Sequence, residues 1–427
     1  MRFLAGARLA ARMSSAPLIR RTQFVRAYAA ASNSKPPKQP TGAAPIELLI
    51  ENGILNVGRG KFKVEVPGRW LRDQCACAEC RNPETAQRQI NVFKNPDAGK
   101  IADVKRVSSE VPDVEVTFRD GHRSVVSVQQ IRNKLRMRDS RYGIVNIARW
   151  RAEISENPPE VQFDSMQRGD GMANLLANIR KYGFCFIDNM PATPEASQAL
   201  LEDIGPIRNT HYGGFYDFTS DLSSKDTAYT SESLEPHTDT TYFTDPIGLQ
   251  ALHLLSHTDG EGGLSSLVDG FAASAHIYKE DNAAYLTLCH TPVFAHASGN
   301  EGVSIQPVHG FPVLNTSREH RNGPFQIRWN NADRAGVRAS LGPDMDRWYD
   351  AAAKFDAFVN DPKNQYWFQL KPGRMLLFDN WRVLHGRSAF TGKRRMCGGY
   401  INRDDFISKY RMTNISKEEI EASTVTG

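Results

Sequence analysis

The chain has 427 residues, of which 40% are hydrophobic and 24% charged, and its formal net charge at pH 7 is +5. This length exceeds one average domain and suits two or three, and the composition is that of an ordinary globular protein. The longest apolar runs, such as residues 375–378, are far too short to span a bilayer, so no transmembrane segment and no membrane partner are expected.

Residues 1–33 are basic and contain no acidic residue. Six arginines lie among serines and alanines, and the first acidic residue of the chain is Glu47. Four apolar residues would lie near one another on a helix: Leu4, Leu9, Met13 and Leu18. This amphipathic composition predicts a mitochondrial transit peptide over residues 1–33 and a mitochondrial matrix protein; a disordered basic tail is the alternative. Residues 34–46, with several prolines and a glycine, are predicted to be a linker.

The basic character of the chain comes from this N-terminal stretch. Eight Lys and Arg residues precede Glu47, and removing eight positive charges from a net charge of +5 leaves −3. The charge therefore reflects targeting, and we expect no nucleic-acid partner.

Residues 47–139 are predicted to form a small β-rich domain. Residues 61–66 and 114–118 alternate apolar and polar side chains with the period of a strand. The turn sequence at residues 119–122 is followed by a further strand at 124–128, which predicts a hairpin.

Three of the six cysteines fall within six positions of this domain. Cys75, Cys77 and Cys80 have the spacing of metal ligands, and in a reducing compartment such clustering favours a metal over disulfides. His122, just after Asp120-Gly121, would complete a tetrahedral structural zinc site and stabilise a domain with little core of its own. Three free buried thiols are the alternative.

Residues 160–415 are predicted to form a second, mainly β domain. The predicted strands are residues 183–189, 249–256, 264–268, 366–370 and 374–378. The predicted helices are residues 175–182, 193–204, 271–288 and 344–360. Strands flanked by helices in this way predict a double-stranded β-helix, or jelly roll.

The motif His237-Thr238-Asp239 predicts a metal site in this domain. If it lies on a strand, positions i and i+2 face the same way, so one imidazole and one carboxylate can bind one ion. A second copy, at residues 257–259, runs into a glycine-rich turn sequence, whereas residues 240–243 read as a strand, so we favour the first. His385, before Gly386, is the candidate third ligand. Two histidines and a carboxylate on one face of iron leave three positions open.

Two arginines follow His385 by nine and ten residues. Arg394 or Arg395 could bind a carboxylate through two parallel hydrogen bonds. A solvated basic run is the alternative.

Together these motifs resemble the γ-butyrobetaine/trimethyllysine dioxygenase family of Fe(II)- and 2-oxoglutarate-dependent oxygenases, over about residues 70–405. The resemblance is stronger to the trimethyllysine branch. It implies Fe(II) on His237, Asp239 and His385, and 2-oxoglutarate on Arg394, with Arg395 as the second choice and a weaker contact from Ser265. It further implies O2 as a substrate, ascorbate as reductant and a homodimer. The strings that carry it are residues 226–230, 237–243, 379–387, 390–392 and Tyr400.

Enzymes of this family bind a trimethylammonium group, which cannot donate hydrogen bonds and so needs an aromatic cage. The resemblance implies a cage of four tyrosines, one of which, Tyr216, stands where tryptophan is usual. It also implies that Asp226 pairs with the α-ammonium of trimethyllysine. The expected reaction is hydroxylation of Nε-trimethyllysine at C3 with release of succinate and CO2; the alternatives are hydroxylation of γ-butyrobetaine and a non-catalytic metal-bound scaffold. The cage tyrosines are Tyr212, Tyr216, Tyr229 and Tyr400.

Overall fold

The structure is a computed structural model. It describes residues 47–51, 54–59, 62–107, 113–127, 147–219, 231–298, 301–317, 323–338, 342, 344–417 and 420. The predicted transit peptide and linker lie outside these residues, as do the predicted site residues Asp226 and Tyr229.

The N-terminal part contains two three-stranded antiparallel sheets. The predicted hairpin is confirmed: Val116 pairs with Ser124, and the chain turns through Gly121, whose φ is +86°. A small apolar cluster that includes Leu71 and Phe118 forms the core. The elements are β1 (Glu47–Glu51), β2 (Ile54–Arg59), β3 (Phe62–Pro67), α1 (Gly68–Asp73), β4 (Ile101–Arg106), β5 (Asp113–Phe118) and β6 (Arg123–Ser127).

The C-terminal part contains a six-stranded sheet, a four-stranded sheet and a separate two-stranded ribbon formed by Leu314–Asn315 and Gln326–Ile327. The strand order is β7-β8-β16-β11-β18-β9 in the larger sheet and β10-β17-β12-β15 in the smaller. The strands are β7 (Glu160–Gln162), β8 (Phe184–Asp188), β9 (Tyr216–Thr219), β10 (Leu234–His237), β11 (Leu249–Thr258), β12 (Ser265–Asp269), β13 (Leu314–Asn315), β14 (Gln326–Ile327), β15 (Tyr366–Phe368), β16 (Met375–Asp379), β17 (Val383–Arg387) and β18 (Lys393–Ile401).

Alternation along the strands separates the core into layers. One cluster, with Leu254 and Phe378 from the large sheet and Leu267 from the small one, lies between the sheets. The outer faces are covered by helices, three against each sheet. The helices are α2 (Gly171–Tyr182), α3 (Pro194–Ile204), α4 (Gly270–Glu280), α5 (Asn282–His290), α6 (Asp344–Asn360) and α7 (Arg403–Asn414).

One predicted helix is wrong in its extent. Residues 271–288 form not one helix but two, α4 and α5, which meet at Asp281. The Asp281 carboxylate accepts a hydrogen bond from the backbone N–H of Ala284 and so caps the second helix. A side chain that satisfies this N–H lets the chain bend while the apolar pattern continues.

None of the described helices is both long and apolar enough to cross a membrane.

A buried histidine joins the large sheet to α3. His253 on β11 is fully buried, and its Nε2 accepts a hydrogen bond from the backbone N–H of Gly373 at 3.2 Å. Ser197 donates its own hydroxyl proton to the carbonyl of Thr193, so its oxygen accepts from Nδ1 of His253 at 2.8 Å. Both ring nitrogens are thus satisfied in the neutral form, and burial lowers the pKa of His253 from its ordinary value of 6.5 to about 4.

This histidine should make folding stability depend on pH. Below pH 6.5 the unfolded chain protonates His253, whereas the folded chain protonates it only near pH 4. The contribution of His253 to the free energy of unfolding is therefore complete above pH 6.5 and is lost as the pH falls from 6.5 to 4. The loss amounts to up to about 3 kcal/mol, at about 1.4 kcal/mol per pH unit. Urea unfolding at pH 7 and pH 4.5 measures it. His253→Gln, which keeps one donor and one acceptor without titrating, should show a smaller difference; equal differences would contradict the assignment.

Candidate active site

His237 and His385 lie opposite each other on neighbouring strands. His237 ends β10, His385 is in the middle of β17, and the two residues are register partners. Their ring centroids are 4.3 Å apart. The small sheet therefore brings two histidines that are 148 positions apart in sequence to one side of the space between the sheets.

Asp239 reaches the same point by a different route from the predicted one. The prediction of a strand at residues 240–243 is wrong: β10 ends at His237, and Asp239 and the residues after it lie in a turn. The next residue, Thr240, has a φ of +56°, a left-handed conformation that β-branched residues rarely adopt. The turn, rather than strand alternation, directs the Asp239 carboxylate toward the histidines.

The three side chains fit one divalent metal ion. Asp239 Oδ1 lies 3.3 Å from Nε2 of His237 and 3.8 Å from Nε2 of His385, and one ligand atom from each residue lies within 4.8 Å of the others. Nδ1 of His237 donates to the carbonyl of Glu235 at 2.8 Å, which fixes the tautomer and directs the Nε2 lone pair to the site. Two histidines and a carboxylate on one side are the ligand set of non-haem iron oxygenases.

The charges of these groups favour a bound cation. Although burial opposes ionisation, the neighbouring histidines lower the pKa of Asp239 to about 2. Burial, with the nearby His237, lowers the pKa of His385 to about 3. Burial also acts against protonation of His237, but the hydrogen bond and charge of Asp239 raise its pKa. At pH 7 the site thus offers an ionised carboxylate and a neutral imidazole, as metal binding requires.

The second His-x-Asp motif contacts the backbone instead of a group of possible metal ligands. His257 lies within β11, which extends two residues beyond the predicted strand 249–256, and its Nε2 contacts the carbonyl of Thr391 at 2.8 Å. The chain leaves the sheet at residue 259, where the turn sequence was predicted. Asp259 follows at a φ of +60°. Among the described residues, the groups able to hold a metal include His237, Asp239 and His385 but not His257.

Strand alternation distinguishes the two candidate arginines. Arg394 shares a face of β18 with Tyr400 and is 2% exposed, and among the described residues no carboxylate pairs with it. Its Nε has no hydrogen-bond partner in the part of the chain that the structure describes, and its guanidinium lies 4.9 Å from the Phe390 ring centroid. Burial lowers the pKa of Arg394. A buried guanidinium without a carboxylate partner can bind an anion through charge-assisted hydrogen bonds.

Arg395 faces the opposite way and already has an anionic partner. Its guanidinium forms a bidentate pair with the exposed Asp217 carboxylate, at 2.9 and 2.6 Å. The geometry therefore favours Arg394 for the carboxylate-binding role.

Ser265 is buried on β12 and pairs with Arg387 of β17. Leu267, two residues further along β12 and on the same face, pairs with His385. Since paired residues of antiparallel strands point to the same face, Ser265 faces the side of the metal cluster. Arg387, to which the sequence assigned no role, lies 4.8 Å from the Phe390 ring, and burial and then the charge of Arg394 lower its pKa to about 10. Two arginines thus border the space that Ser265 faces.

Tyrosines surround Tyr400 next to the candidate metal ligands. The hydroxyl of Tyr400 donates to Oδ2 of Asp239 at 3.4 Å, and its ring centroid lies 5.7 Å from that of Tyr216. Burial, and then the charge of Asp239 and the tyrosines Tyr216, Tyr242 and Tyr212, raise the pKa of Tyr400 well above its ordinary value. Of the four predicted cage residues, three are therefore close together and Tyr229 lies outside the described residues.

Two further residues of this site were not singled out by the sequence. Tyr242 is buried, and its hydroxyl lies 3.5 Å from that of Tyr212, so it adds an aromatic side chain to the cluster. Asn380 bonds the backbone of Asp239 through its side-chain amide. Both fall in motifs that resemble the family, but only the folded geometry shows what they contact.

The N-terminal cysteines also converge. The sulfurs of Cys75, Cys77 and Cys80 lie 3.4, 3.7 and 3.6 Å from Nε2 of His122, which suits one tetrahedral ion. Nδ1 of His122 contacts a carboxylate oxygen of Glu79 at 3.2 Å, the arrangement usual behind a zinc-bound histidine. The thiols of Cys75 and Cys80 also accept hydrogen bonds, from Ser124 and Arg72 respectively.

Both parts of the chain are similar to known protein families. Residues 144–400 match the model of the family described as taurine catabolism dioxygenase TauD, TfdA family. The chain belongs to the TauD/TfdA dioxygenase family. Residues 59–128 of this dioxygenase match a second model, described as gamma-butyrobetaine hydroxylase-like, N-terminal. The predicted fold, a jelly-roll oxygenase domain with a small β-rich N-terminal domain, is thereby confirmed, and iron and 2-oxoglutarate are the cofactor and cosubstrate of this family.

Several curated relatives of this dioxygenase are similar over most of their length. The trimethyllysine dioxygenase of Neurospora crassa is 40% identical, covering 90% of this chain and 87% of that one. The mitochondrial trimethyllysine dioxygenase of Homo sapiens is 35% identical, covering 81% and 82%. The gamma-butyrobetaine dioxygenase of a Pseudomonas species is 31% identical, covering 80% and 88%.

The cysteine cluster of this dioxygenase should hold a structural zinc ion. We expect about one zinc per chain that persists after iron is chelated, and Cys77→Ala should lose it and lower the melting temperature. Metal analysis of the purified variant measures this. Cys289→Ala, at a buried cysteine outside the cluster, should keep its zinc. Zinc retained by Cys77→Ala would remove Cys77 from the ligand set.

Proposed function

We propose that this dioxygenase hydroxylates Nε-trimethyllysine at C3, with release of succinate and CO2, as the first step of carnitine synthesis. The observation that carries the proposal is the tyrosine cluster, which lies directly against the metal ligand Asp239 through the hydroxyl of Tyr400. Aromatic faces attract a quaternary ammonium, so a trimethylammonium substrate would bind beside the metal. The relatives named trimethyllysine dioxygenase support the same substrate.

The residues of the site divide the reaction between them. His237, Asp239 and His385 would hold Fe(II), and Arg394 would bind the distal carboxylate of 2-oxoglutarate, with Ser265 as a further contact. When bound, Fe(II) with 2-oxoglutarate supplies the oxidising chemistry, in which one oxygen atom of O2 enters the substrate and the other enters succinate. Asp239 stays oriented because Tyr400 remains protonated and donates to its second oxygen.

The tyrosines would orient the substrate rather than take part in bond making. Tyr212, Tyr216 and Tyr400, together with Tyr229 by resemblance, would enclose the trimethylammonium group. The Tyr216 hydroxyl donates to the carbonyl of Ala251 at 2.6 Å, which holds the ring in place. A fixed cage positions the C3–H bond toward the metal and keeps water away from it.

Asp226 should determine the choice between trimethyllysine and γ-butyrobetaine. Both substrates carry a trimethylammonium and a carboxylate, so discrimination must come from the α-ammonium, which only trimethyllysine has. A charge-assisted hydrogen bond to it contributes about 1.5–3 kcal/mol, so Asp226→Asn should lower kcat/KM for trimethyllysine by about tenfold to a few hundredfold. Asn keeps the shape and removes the charge, and iron binding should not change. An unchanged kcat/KM for trimethyllysine would contradict the assignment.

Oxygen consumption tests whether the protein is an enzyme of this kind rather than a metal-bound scaffold. With Fe(II), 2-oxoglutarate and ascorbate, which we propose keeps the iron reduced, trimethyllysine should stimulate oxygen uptake and succinate release. No stimulation by any quaternary ammonium compound would favour the scaffold.

We further propose the mitochondrial matrix as the location of this dioxygenase and a homodimer as its assembly.

A further inference from the structure

The side-chain amide of Asn380 forms a pair of hydrogen bonds with the backbone of the metal ligand Asp239. The N–H of Asp239 donates to Oδ1 of Asn380 at 2.7 Å, and Nδ2 of Asn380 donates to the carbonyl of Asp239 at 3.0 Å. Nδ2 also donates to the carbonyl of Ile247 at 3.3 Å. Asn380 thus occupies, for Asp239, the place that a paired strand would take in a sheet.

The Asn380 side chain is itself held rigidly. It is 1% exposed, it follows directly after β16 of the large sheet, and its own backbone N–H donates to the carbonyl of Gly248 at 2.9 Å. A fully buried amide attached to a central strand has little freedom to move. It can therefore impose a position on the residue that it bonds.

The turn that carries Asp239 needs such a support. Asp239 lies outside the sheet and precedes Thr240, whose left-handed backbone costs on the order of 1–3 kcal/mol and persists only when the surroundings hold it. Thr238, before it, exchanges hydrogen bonds with the backbone of Trp329, and the Thr240 hydroxyl accepts from the N–H of Ile247 at 3.0 Å. Between these two threonines, the backbone of Asp239 is held by Asn380.

We propose that Asn380 is a positioning residue that sets the geometry of the iron site through the backbone of Asp239. The inference rests on the proposed iron site and goes beyond its ligands. Without the amide the strained turn can relax, and the Asp239 carboxylate moves away from the two histidines that it must join at the metal. Loss of partners that orient metal ligands weakens metal affinity by about 10–100-fold.

Two substitutions test the contact. Asn380→Asp keeps the oxygen that accepts from the Asp239 N–H but replaces the donor to the two carbonyls, and Asn380→Ala removes both. The full-length protein, stripped of iron and with its zinc in place, is titrated anaerobically with Fe(II) in the presence of 2-oxoglutarate. The melting temperature of the iron-free protein is measured alongside. We expect Fe(II) affinity to fall about 10–100-fold in both variants.

Asn364 provides a matched control. It is 4% exposed, and its Nδ2 donates to the carbonyl of Phe358 at 2.9 Å, so its substitution by Asp or Ala removes a comparable buried hydrogen bond away from the iron turn. These control variants should lose stability without losing Fe(II) affinity. Such a split separates positioning of the metal from general support of the fold.

The outcomes are distinct. Wild-type Fe(II) affinity in a folded Asn380 variant would overturn the proposal while leaving the iron site intact. Asn380 variants that unfold while the Asn364 variants stay folded would also overturn it, since Asn380 would then support the fold rather than the site. A wild-type protein that binds no Fe(II) would overturn both this inference and the proposed function.

Discussion

Replacing His237 with Ala should abolish succinate formation, with a loss of about a thousandfold or more in turnover. The metal ion contributes several kcal/mol to such reactions, and each 1.4 kcal/mol corresponds to about a factor of ten. His237 offers its Nε2 to the site, because its Nδ1 donates to the carbonyl of Glu235 and so fixes the tautomer. Initial-rate measurement of succinate with saturating 2-oxoglutarate and Fe(II) gives the loss directly.

The matched control is the other histidine of the same motif. His257→Ala removes a partly exposed ring that contacts the carbonyl of Thr391, so turnover should stay within about twofold of wild type, as for a surface substitution. Full turnover in His237→Ala together with loss of turnover in His257→Ala would show that the wrong motif has been assigned to iron.

Arg394→Met should raise KM for 2-oxoglutarate by roughly a hundredfold. A bidentate pair between guanidinium and carboxylate contributes about 3 kcal/mol from two charge-assisted hydrogen bonds, and 1.4 kcal/mol corresponds to a factor of ten. Met fills a similar volume but cannot bind an anion. The variant should stay folded without 2-oxoglutarate, since replacing a buried, unpaired cation with an apolar side chain of similar size removes a desolvation penalty.

Arg395→Met is the control for this prediction. It breaks only the surface pair with Asp217, and such pairs contribute about 0–1 kcal/mol, so KM for 2-oxoglutarate should hardly change. A steady-state series in 2-oxoglutarate for both variants measures the contrast. A larger increase in KM for Arg395→Met than for Arg394→Met would reverse the assignment.

The case of His237 shows which part of the site could be predicted from the sequence. The residue types, together with the resemblance to the family, pointed to His237, Asp239 and His385, and the fold brings one ligand atom from each within 4.8 Å of the others. The local structure around the chosen motif was predicted wrongly: His237 ends a strand, but Asp239 and residues 240–243 lie in a turn rather than in a strand. Strand propensity in a run such as residues 240–243 is weak when a tertiary contact, here the amide of Asn380, can hold a turn.

Other features depend on contacts between distant parts of the chain. Arg394 and Arg395 are adjacent and chemically alike, and only the register of β18 decides which one is buried. The roles of Tyr242 and Asn380 follow from neighbours far away in sequence, so no local pattern announces them. Patterns between residues close in sequence were more reliable. The hairpin whose turn contains His122 and the close spacing of the cysteines were both predicted, and these side chains lie together in the structure.

A side-by-side measurement of kcat/KM for Nε-trimethyllysine and γ-butyrobetaine shows whether this dioxygenase acts on trimethyllysine. Both substrates are compared in the same preparation with Fe(II), 2-oxoglutarate and ascorbate, and product is identified as the 3-hydroxy compound. We expect a preference for trimethyllysine of about tenfold to a few hundredfold, from the charge-assisted contact to its α-ammonium. Equal turnover of the two, or a preference for γ-butyrobetaine, would contradict it.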